Sequence, residues 1–128
     1  MNQRYTLLCG ATLGLFAVVI GAFGAHAWKP VLIASGRLGT YELAVEYQFY
    51  HALAMLLIGS LMNQYTTVWL RRSAICFLTG TFLFSGSLYV LSFSGLGVLG
   101  AVTPLGGLLF ILGWGLAFVG VYKQGLKK

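Results

Sequence analysis

Four long apolar runs, separated by short segments that carry most of the charge, constrain this sequence more than any motif does. The runs cover residues 5–27, 43–62, 73–93 and 104–122. A helix needs about 20 mostly apolar residues to cross the hydrocarbon core of a bilayer, and each run meets that length. The sequence therefore predicts an all-α fold: one membrane domain over residues 1–128, built as a bundle of four transmembrane helices.

The composition excludes a soluble globular protein. Residues of the hydrophobic types make up 59% of the chain and charged residues 8%, with a mean hydropathy of +0.87, whereas about a quarter of a soluble domain is charged. The net charge of +6 could suggest nucleic acid. Here the basic residues flank apolar runs, as membrane topology and anionic headgroups require. We expect the lipid bilayer, and no nucleic acid, as the partner.

The first run has a competing interpretation as a cleaved signal peptide. Arg4 precedes it, and Ala25, His26 and Ala27 resemble a signal-peptidase site. The apolar stretch is longer than the roughly 15 residues of such a region. We therefore expect it to remain as the first transmembrane helix.

The distribution of lysine and arginine predicts the orientation. With four spans, the outer side would hold Lys29 and Arg37, and both termini would be cytoplasmic. The inner side would hold the other basic residues, namely Arg4, Arg71, Arg72, Lys123, Lys127 and Lys128. The outer loop, residues 28–42, contains Pro30 and an apolar stretch. It fits either a short amphipathic helix at the interface or an irregular loop packed on the bundle.

Glycine is abundant, with 18 residues, most of them in or beside the apolar runs. Small residues let helices approach closely in lipid. The positions that we expect to pack helices are Gly10, Gly14, Gly21, Gly24, Gly86, Gly106, Gly107 and Gly113. Two interpretations stay open: tight packing within one bundle, or faces that also build a homo-oligomer.

The second run contains both acidic residues of the chain, Glu42 and Glu46, and one of its two histidines, His51. At 100° per residue, both glutamates share a helix face with Tyr50, whereas Gln48 and His51 lie on the other side. Polar groups facing lipid are costly. The sequence therefore predicts that protein encloses the outer half of this helix.

Depth along the helices predicts two polar layers. The outer layer would pair His26 with Glu42 or Glu46. The inner layer, nearer the midplane, would contain polar side chains of the second and third runs, namely His51, Gln48, Ser85, Ser87 and Tyr89.

Such clusters have a structural and a functional interpretation. Polar side chains often join membrane helices, each interaction contributing about 0.5–2 kcal/mol. A carboxylate and an imidazole in a membrane can instead form a proton or ion site. The spacing of the histidines and glutamates matches no HxxxH or ExxH metal motif. The sequence has no GxSxG, HExxH or P-loop and no aspartate, so we expect no enzyme, no metal site and no cofactor.

Four ordered motifs carry a family resemblance: "GAFGAHA", "VEYQFYHALA", "FSGSLY" and "TPLGG" followed by "GW". In these the chain resembles the small bacterial membrane proteins of domain of unknown function 423, the YgdD/YwdK-like family. The resemblance implies a plasma-membrane protein of about four spans and brings no established activity. Glu42 lies outside the motifs. The matching positions are Gly21, Gly24, His26, Glu46, Gln48, His51, Ser85, Gly86, Ser87, Thr103, Pro104, Gly106, Gly107 and Trp114.

Two functional hypotheses follow. In the first, the chain is a non-enzymatic membrane protein that packs or self-associates and supports membrane integrity or an unidentified membrane-protein partner. In the second, it is a small channel or proton-coupled transporter whose path is lined by Glu46, His51 and His26.

Overall fold

The computed structural model describes residues 1–125, which form five α-helices and one 3₁₀ helix without any strand. The α-helices are α1 (Gln3–Ala25), α2 (Lys29–Ala34), α3 (Leu38–Gln64), α4 (Val68–Ser94) and α5 (Thr103–Gly125), and the 3₁₀ helix is Gly97–Ala101. The predicted all-α class is confirmed. Lys127 and Lys128, which contribute to the predicted orientation, lie outside the described residues.

Three segments of the described chain are long and apolar enough to cross a membrane: α1, α4, and α5 together with the 3₁₀ helix before it (Gly97–Gln124). The 27-residue α3 is longer than α1 but is absent from this group. From its N-terminal half to its middle, α3 carries Glu46, Gln48 and His51, which lower its hydropathy. Within residues 1–125, length and apolarity thus identify three of the four predicted transmembrane helices, and α3 is the one that they do not identify.

Local signals set the helix ends. Asn2 caps α1, since its side-chain oxygen accepts a hydrogen bond from the backbone N–H of Tyr5 at 2.9 Å. Thr67 caps α4 in the same way, through the N–H of Trp69 at 3.3 Å. Gly95 ends α4 with φ of 69°, a left-handed conformation that favours glycine.

The long helices pack in the order of the chain. α1 packs on α3, α3 on α4, and α4 on α5, whereas α1 and α5 share no extensive contact within the described residues. A hydrophobic cluster accordingly lies along α3, α4 and α5, and its buried residues are Ala54, Met55, Ile58, Leu70, Ala74, Phe77, Phe110 and Ala117. This order leaves α1 at one edge of the bundle and α5 at the other.

α1 and α3 run antiparallel along nearly their whole length. At one end, the Thr6 hydroxyl contacts the Met62 sulfur at 3.7 Å. At the other end, the Tyr41 hydroxyl donates to the backbone carbonyl of Ile20. α3 therefore extends over the same length of the bundle as α1. Of the helices that α3 contacts, α1 is the most apolar.

Glycines make the close helix contacts possible. A Cβ atom on Gly24 would collide with the ring of Tyr41, and one on Gly106 would collide with the backbone of Phe84. Gly10, Gly14, Gly21, Gly107 and Gly113 also face a neighbouring helix of the same chain, with the nearest atoms between 2.6 and 3.9 Å from such a Cβ. Gly86 differs, because nothing lies within 4 Å of its Cβ position.

The segment expected to be the outer loop is mostly helical. It contains α2, whose Leu32 is fully buried, and the first turn of α3, which begins at Leu38. Aromatic packing holds this end together: the Trp28 ring stacks on Phe23, with centroids 4.8 Å apart, and meets Phe93 edge-on at 5.4 Å. Of the two forms predicted for this segment, the short helix is the one present.

Candidate functional site

Three polar side chains of α3 point toward three different neighbours. Glu46 lies beside α1, Gln48 lies between α1 and α4, and His51 faces α5. The rotation of 100° per residue separates them around the helix. They form three local sites instead of one cluster.

His51 is buried and hydrogen-bonded through both ring nitrogens. The indole N–H of Trp114, on α5, donates to Nε2 over 3.4 Å, and Nδ1 lies 2.8 Å from the carbonyl oxygen of Tyr47. The imidazole also stacks on the ring of Phe110, with centroids 3.5 Å apart and planes 7° from parallel. His51 thus joins α3 to α5.

These partners fix the protonation of the imidazole. An indole N–H is only a donor, so Nε2 of His51 must accept. The hydrogen then resides on Nδ1 and is donated to the Tyr47 carbonyl. A cavity of about 570 Å³ adjoins the ring, and its other walls are mainly aromatic and aliphatic, including Phe84 and Ile111. The site holds a neutral histidine in apolar surroundings.

Gln48 joins α1, α3 and α4. Its Nε2 donates to the backbone carbonyl of Leu13 at 2.8 Å, and its Oε1 accepts the hydroxyl hydrogen of Tyr89 at 2.8 Å. The side chain is only 4% exposed. One buried amide therefore provides a polar link among three helices.

Glu46 occupies an open groove between α1 and α3. Two adjoining cavities of about 370 and 330 Å³ share Gly21, Val45 and Glu46 in their walls. Glu42 lies in the first and Tyr50 in the second, and all three polar side chains are exposed. The prediction that protein encloses the outer half of α3 is therefore wrong on this face. The physical reason is the packing order, which puts no further helix of residues 1–125 over the groove.

The predicted outer layer is not assembled. His26 follows the end of α1 and is exposed, and it lines a separate cavity of about 210 Å³ with Phe23. No hydrogen bond or ion pair joins it to Glu42 or Glu46 within the described residues. These side chains share an end of the bundle but point to different grooves.

The predicted inner layer is divided. Gln48 contacts Tyr89, one of the partners considered for it, but His51 bonds to Tyr47 and Trp114 instead of a serine. Ser87 shares a 2.7 Å hydrogen bond with Thr103 at the start of α5.

Two residues that matter at this site were absent from the predicted layers. Phe110 and Trp114 lie on the fourth apolar run, and only the tryptophan had a signal, through the "GW" motif. Ser85, in contrast, was placed in the inner layer, but its hydroxyl has no hydrogen-bond partner among the described residues. Among residues 1–125, no three histidine, cysteine, aspartate or glutamate side chains come together as metal ligands do.

Comparison with known proteins places the same residues in a family context. Residues 20–107, which contain Glu46, Gln48, His51 and Ser85, match the family described as "Protein of unknown function (DUF423)". Over 123 residues the chain is 38% identical to the UPF0382 inner membrane protein YgdD of Escherichia coli K12, covering 96% of this chain and 93% of that protein.

Relatives occur in other bacteria too. The UPF0382 membrane proteins SAB0533 of Staphylococcus aureus and SSP2132 of Staphylococcus saprophyticus are each 38% identical over 94% of this chain, covering 98% and 99% of their own lengths. No solved structure matches. The similar proteins are named for their membrane location and for no activity.

Proposed function

The chain belongs to the DUF423 family of membrane proteins, and on that premise we propose that it is a non-enzymatic, four-span protein of the plasma membrane that acts by self-association. Its family membership and its apolar helices make it a multi-pass inner-membrane protein. The fourth span, the orientation and the role are the proposed parts. An accessory role beside another membrane protein fits the same arrangement.

The antiparallel contact of α1 with α3 supports a fourth span. α3 touches α1 from Thr6 to Ile20, so a bilayer crossed by α1 also contains α3. The cost of its polar groups is reduced because Gln48 and His51 are buried and hydrogen-bonded. Polar side chains in membrane helices generally face the interior of the bundle and are hydrogen-bonded there.

Basic side chains support cytoplasmic termini. The Lys123 ammonium lies 4.6 Å from the ring centroid of Trp69, and the Arg72 guanidinium carbon lies 5.5 Å from it. The start of α4 and the end of α5 are thus at one end of the bundle, with the basic residues that favour the cytoplasmic side. Reporter fusions test this. A fluorescent protein should be active at either terminus, and a periplasmic phosphatase should be inactive there.

Glu46 carries the case for self-association. It lines the α1–α3 groove beside Gly21, about 10 Å along α1 from the middle of that helix, and hence within the hydrocarbon region. A charged side chain facing lipid costs about 2.5–3.5 kcal/mol at the bilayer centre on insertion scales. A second copy on this face would remove the carboxylate from lipid.

The groove has the composition for a self-complementary contact. Ala17 and Gly21 provide a low wall, and Phe49 and Tyr50 project beside Glu46. In a two-fold arrangement the same patch meets itself. The hydroxyl of Tyr50 in one copy could then donate to the Glu46 carboxylate of the other, a hydrogen bond that no residue of the same chain provides among those described.

Cross-linking tests the interface directly. With Cys9 and Cys76 replaced by serine and alanine, Phe49→Cys should give a disulfide-linked dimer in native membranes. Phe118→Cys, on α5, is the control and should stay monomeric, although Phe118 is 70% exposed and Phe49 only 37%. Intact mass in mild detergent should show more than one chain. A purely monomeric mass with no Phe49→Cys dimer contradicts self-association.

The transport hypothesis has less support. Glu46, His51 and His26 open to three different cavities, and the imidazole is neutral with both nitrogens engaged. A proton path needs groups that can exchange protons in sequence. His51 is hydrogen-bonded to a backbone carbonyl and to an indole, and no described hydrogen bond joins any two of these three residues.

A further inference from the structure

Ser85 is an exception among the hydroxyl side chains of α4. The other serines and threonines of this helix all donate to a backbone carbonyl, as Thr81 does to Phe77 and Ser92 to Leu88. Ser85 is only 1% exposed, and its hydroxyl has no hydrogen-bond partner among the described residues. An unpaired hydroxyl at such a depth costs about 1–3 kcal/mol.

Ser85 lines a cleft between α1 and α4. The cavity measures about 330 Å³ and has Gln48 and Tyr89 at its polar end. Its rim contains Phe16 and Phe82, which are 52% and 64% exposed, so it opens toward the surrounding lipid. Within the cleft, polar groups are few and uncharged.

The unused hydrogen-bonding capacity in the cleft includes two donors. The hydroxyl of Tyr89 already donates to Gln48, and one N–H of Gln48 donates to Leu13. The hydroxyl of Ser85 has no partner among the described residues, and the Leu13 carbonyl is the one acceptor described for the two N–H groups of the Gln48 amide. A carbonyl oxygen fits this pair, because it accepts two hydrogen bonds and needs to donate none.

The depth of Ser85 in the bilayer limits which carbonyl compounds could reach it. Ser85 lies four residues from Thr81, the middle of α4, which is about 6 Å along the helix. The ester groups of bilayer lipids lie at the edge of a hydrocarbon region about 30 Å thick, farther from the midplane. The cleft therefore suits a molecule that dissolves in the bilayer interior.

We propose that the cleft lined by Ser85, Gln48 and Phe82 binds an uncharged, bilayer-soluble ketone or quinone, which enters from the lipid with its carbonyl oxygen toward the two free donors. Gly86 leaves room for the ring or chain, since nothing lies within 4 Å of its Cβ position. The cleft is on the α4 side of α1, away from Glu46. It is thus independent of the proposed self-association.

Native mass spectrometry of the full chain, released from detergent micelles, tests the site. The probes are decyl-benzoquinone, the ester methyl laurate and the oxygen-free decylbenzene. We expect wild type to bind one molecule of the quinone, several-fold more tightly than the ester and far more tightly than decylbenzene. Equal binding of all three overturns the proposal.

Variants locate the binding. Ser85→Ala should weaken quinone binding about 3- to 10-fold, the effect of one hydrogen bond, and Gly86→Leu should block the cleft. Ser92→Ala, a buried serine paired with its own helix, is the matched control and should bind as wild type does. A cooperative thermal unfolding transition of Ser85→Ala would establish that this variant is folded. If Ser85→Ala binds the quinone as tightly as wild type does, the proposal is overturned. This outcome does not depend on whether the protein self-associates.

Discussion

Trp114 donates its indole N–H to Nε2 of His51 over 3.4 Å, across 63 residues of sequence. This contact joins the most polar of the long helices, α3, to the last helix of the bundle. It also determines that the imidazole is neutral, because a donor already occupies Nε2. The histidine that sequence motifs single out is therefore a helix-joining group in this structure.

The two histidines should respond very differently to substitution. His51→Phe leaves the Trp114 N–H without its acceptor, so we expect a loss of about 1–3 kcal/mol in stability. His26→Phe changes an exposed side chain and should stay within about 0.5 kcal/mol of wild type. Unfolding in detergent, by heat or denaturant, measures both. Equal losses would contradict the role assigned to His51.

Gln48 should contribute to stability through its link among three helices. Gln48→Leu keeps the volume but leaves the Tyr89 hydroxyl without an acceptor, so we expect a loss of about 1–3 kcal/mol. Gln64→Leu, at the exposed end of the same helix, is the matched control and should be nearly neutral. The same unfolding assay applies, and an unchanged Gln48→Leu protein would refute the link.

Close packing of α5 on α4 should make Gly106 intolerant of a methyl group. Gly106→Ala would place Cβ against the Phe84 backbone, which cannot move as a side chain does, and overpacking of this kind costs about 1–3 kcal/mol. Gly115→Ala, on the same helix with nothing within 4 Å, should be neutral or slightly stabilising. Thermal scans of the two variants should shift in different directions or by clearly different amounts.

If two copies meet at the α1–α3 groove, Glu46 and Tyr50 should be energetically coupled. We expect Glu46→Gln and Tyr50→Phe each to weaken dimerisation several-fold, and the double variant to be weaker by less than the product of the two effects. Tyr122→Phe, another exposed tyrosine, should leave dimerisation unchanged. Dimer affinity in lipid nanodiscs provides the measurement, and strictly multiplicative effects would exclude this pair.

Proteoliposomes distinguish self-association from transport. We expect wild-type vesicles containing a pH-sensitive dye to leak protons no faster than protein-free vesicles, because the described contacts connect no proton path. Glu46→Gln should then behave identically. A wild-type flux that Glu46→Gln abolishes would replace the proposed function with proton transport.

The sequence predicted the helices well because a bilayer demands long apolar runs. It also predicted that Glu46 and His51 face different neighbours, since the angle between residues depends only on helix geometry. The Gln48–Tyr89 contact was among the partners considered, because depth along two neighbouring helices limits the choice.

The order in which the helices pack could not be predicted from the sequence. Lipid is as apolar as a protein core, so an apolar helix surface carries little information about which side faces protein. The exposure of Glu46 follows from the arrangement of helices in chain order, which no single helix encodes. The His51–Trp114 contact depends on the rotations of both α3 and α5, and the apolar periodicity of neither helix fixes them.

The chain-order packing of the helices has a consequence for biosynthesis. α3 leaves the ribosome after α1, its antiparallel neighbour, but the imidazole of His51 meets Trp114 only after α5 has been made. During that interval Nε2 of His51 lacks its hydrogen-bond donor from α5. A chain that stops before α5 therefore lacks the Trp114 donor, and Nε2 of its His51 stays without this hydrogen bond.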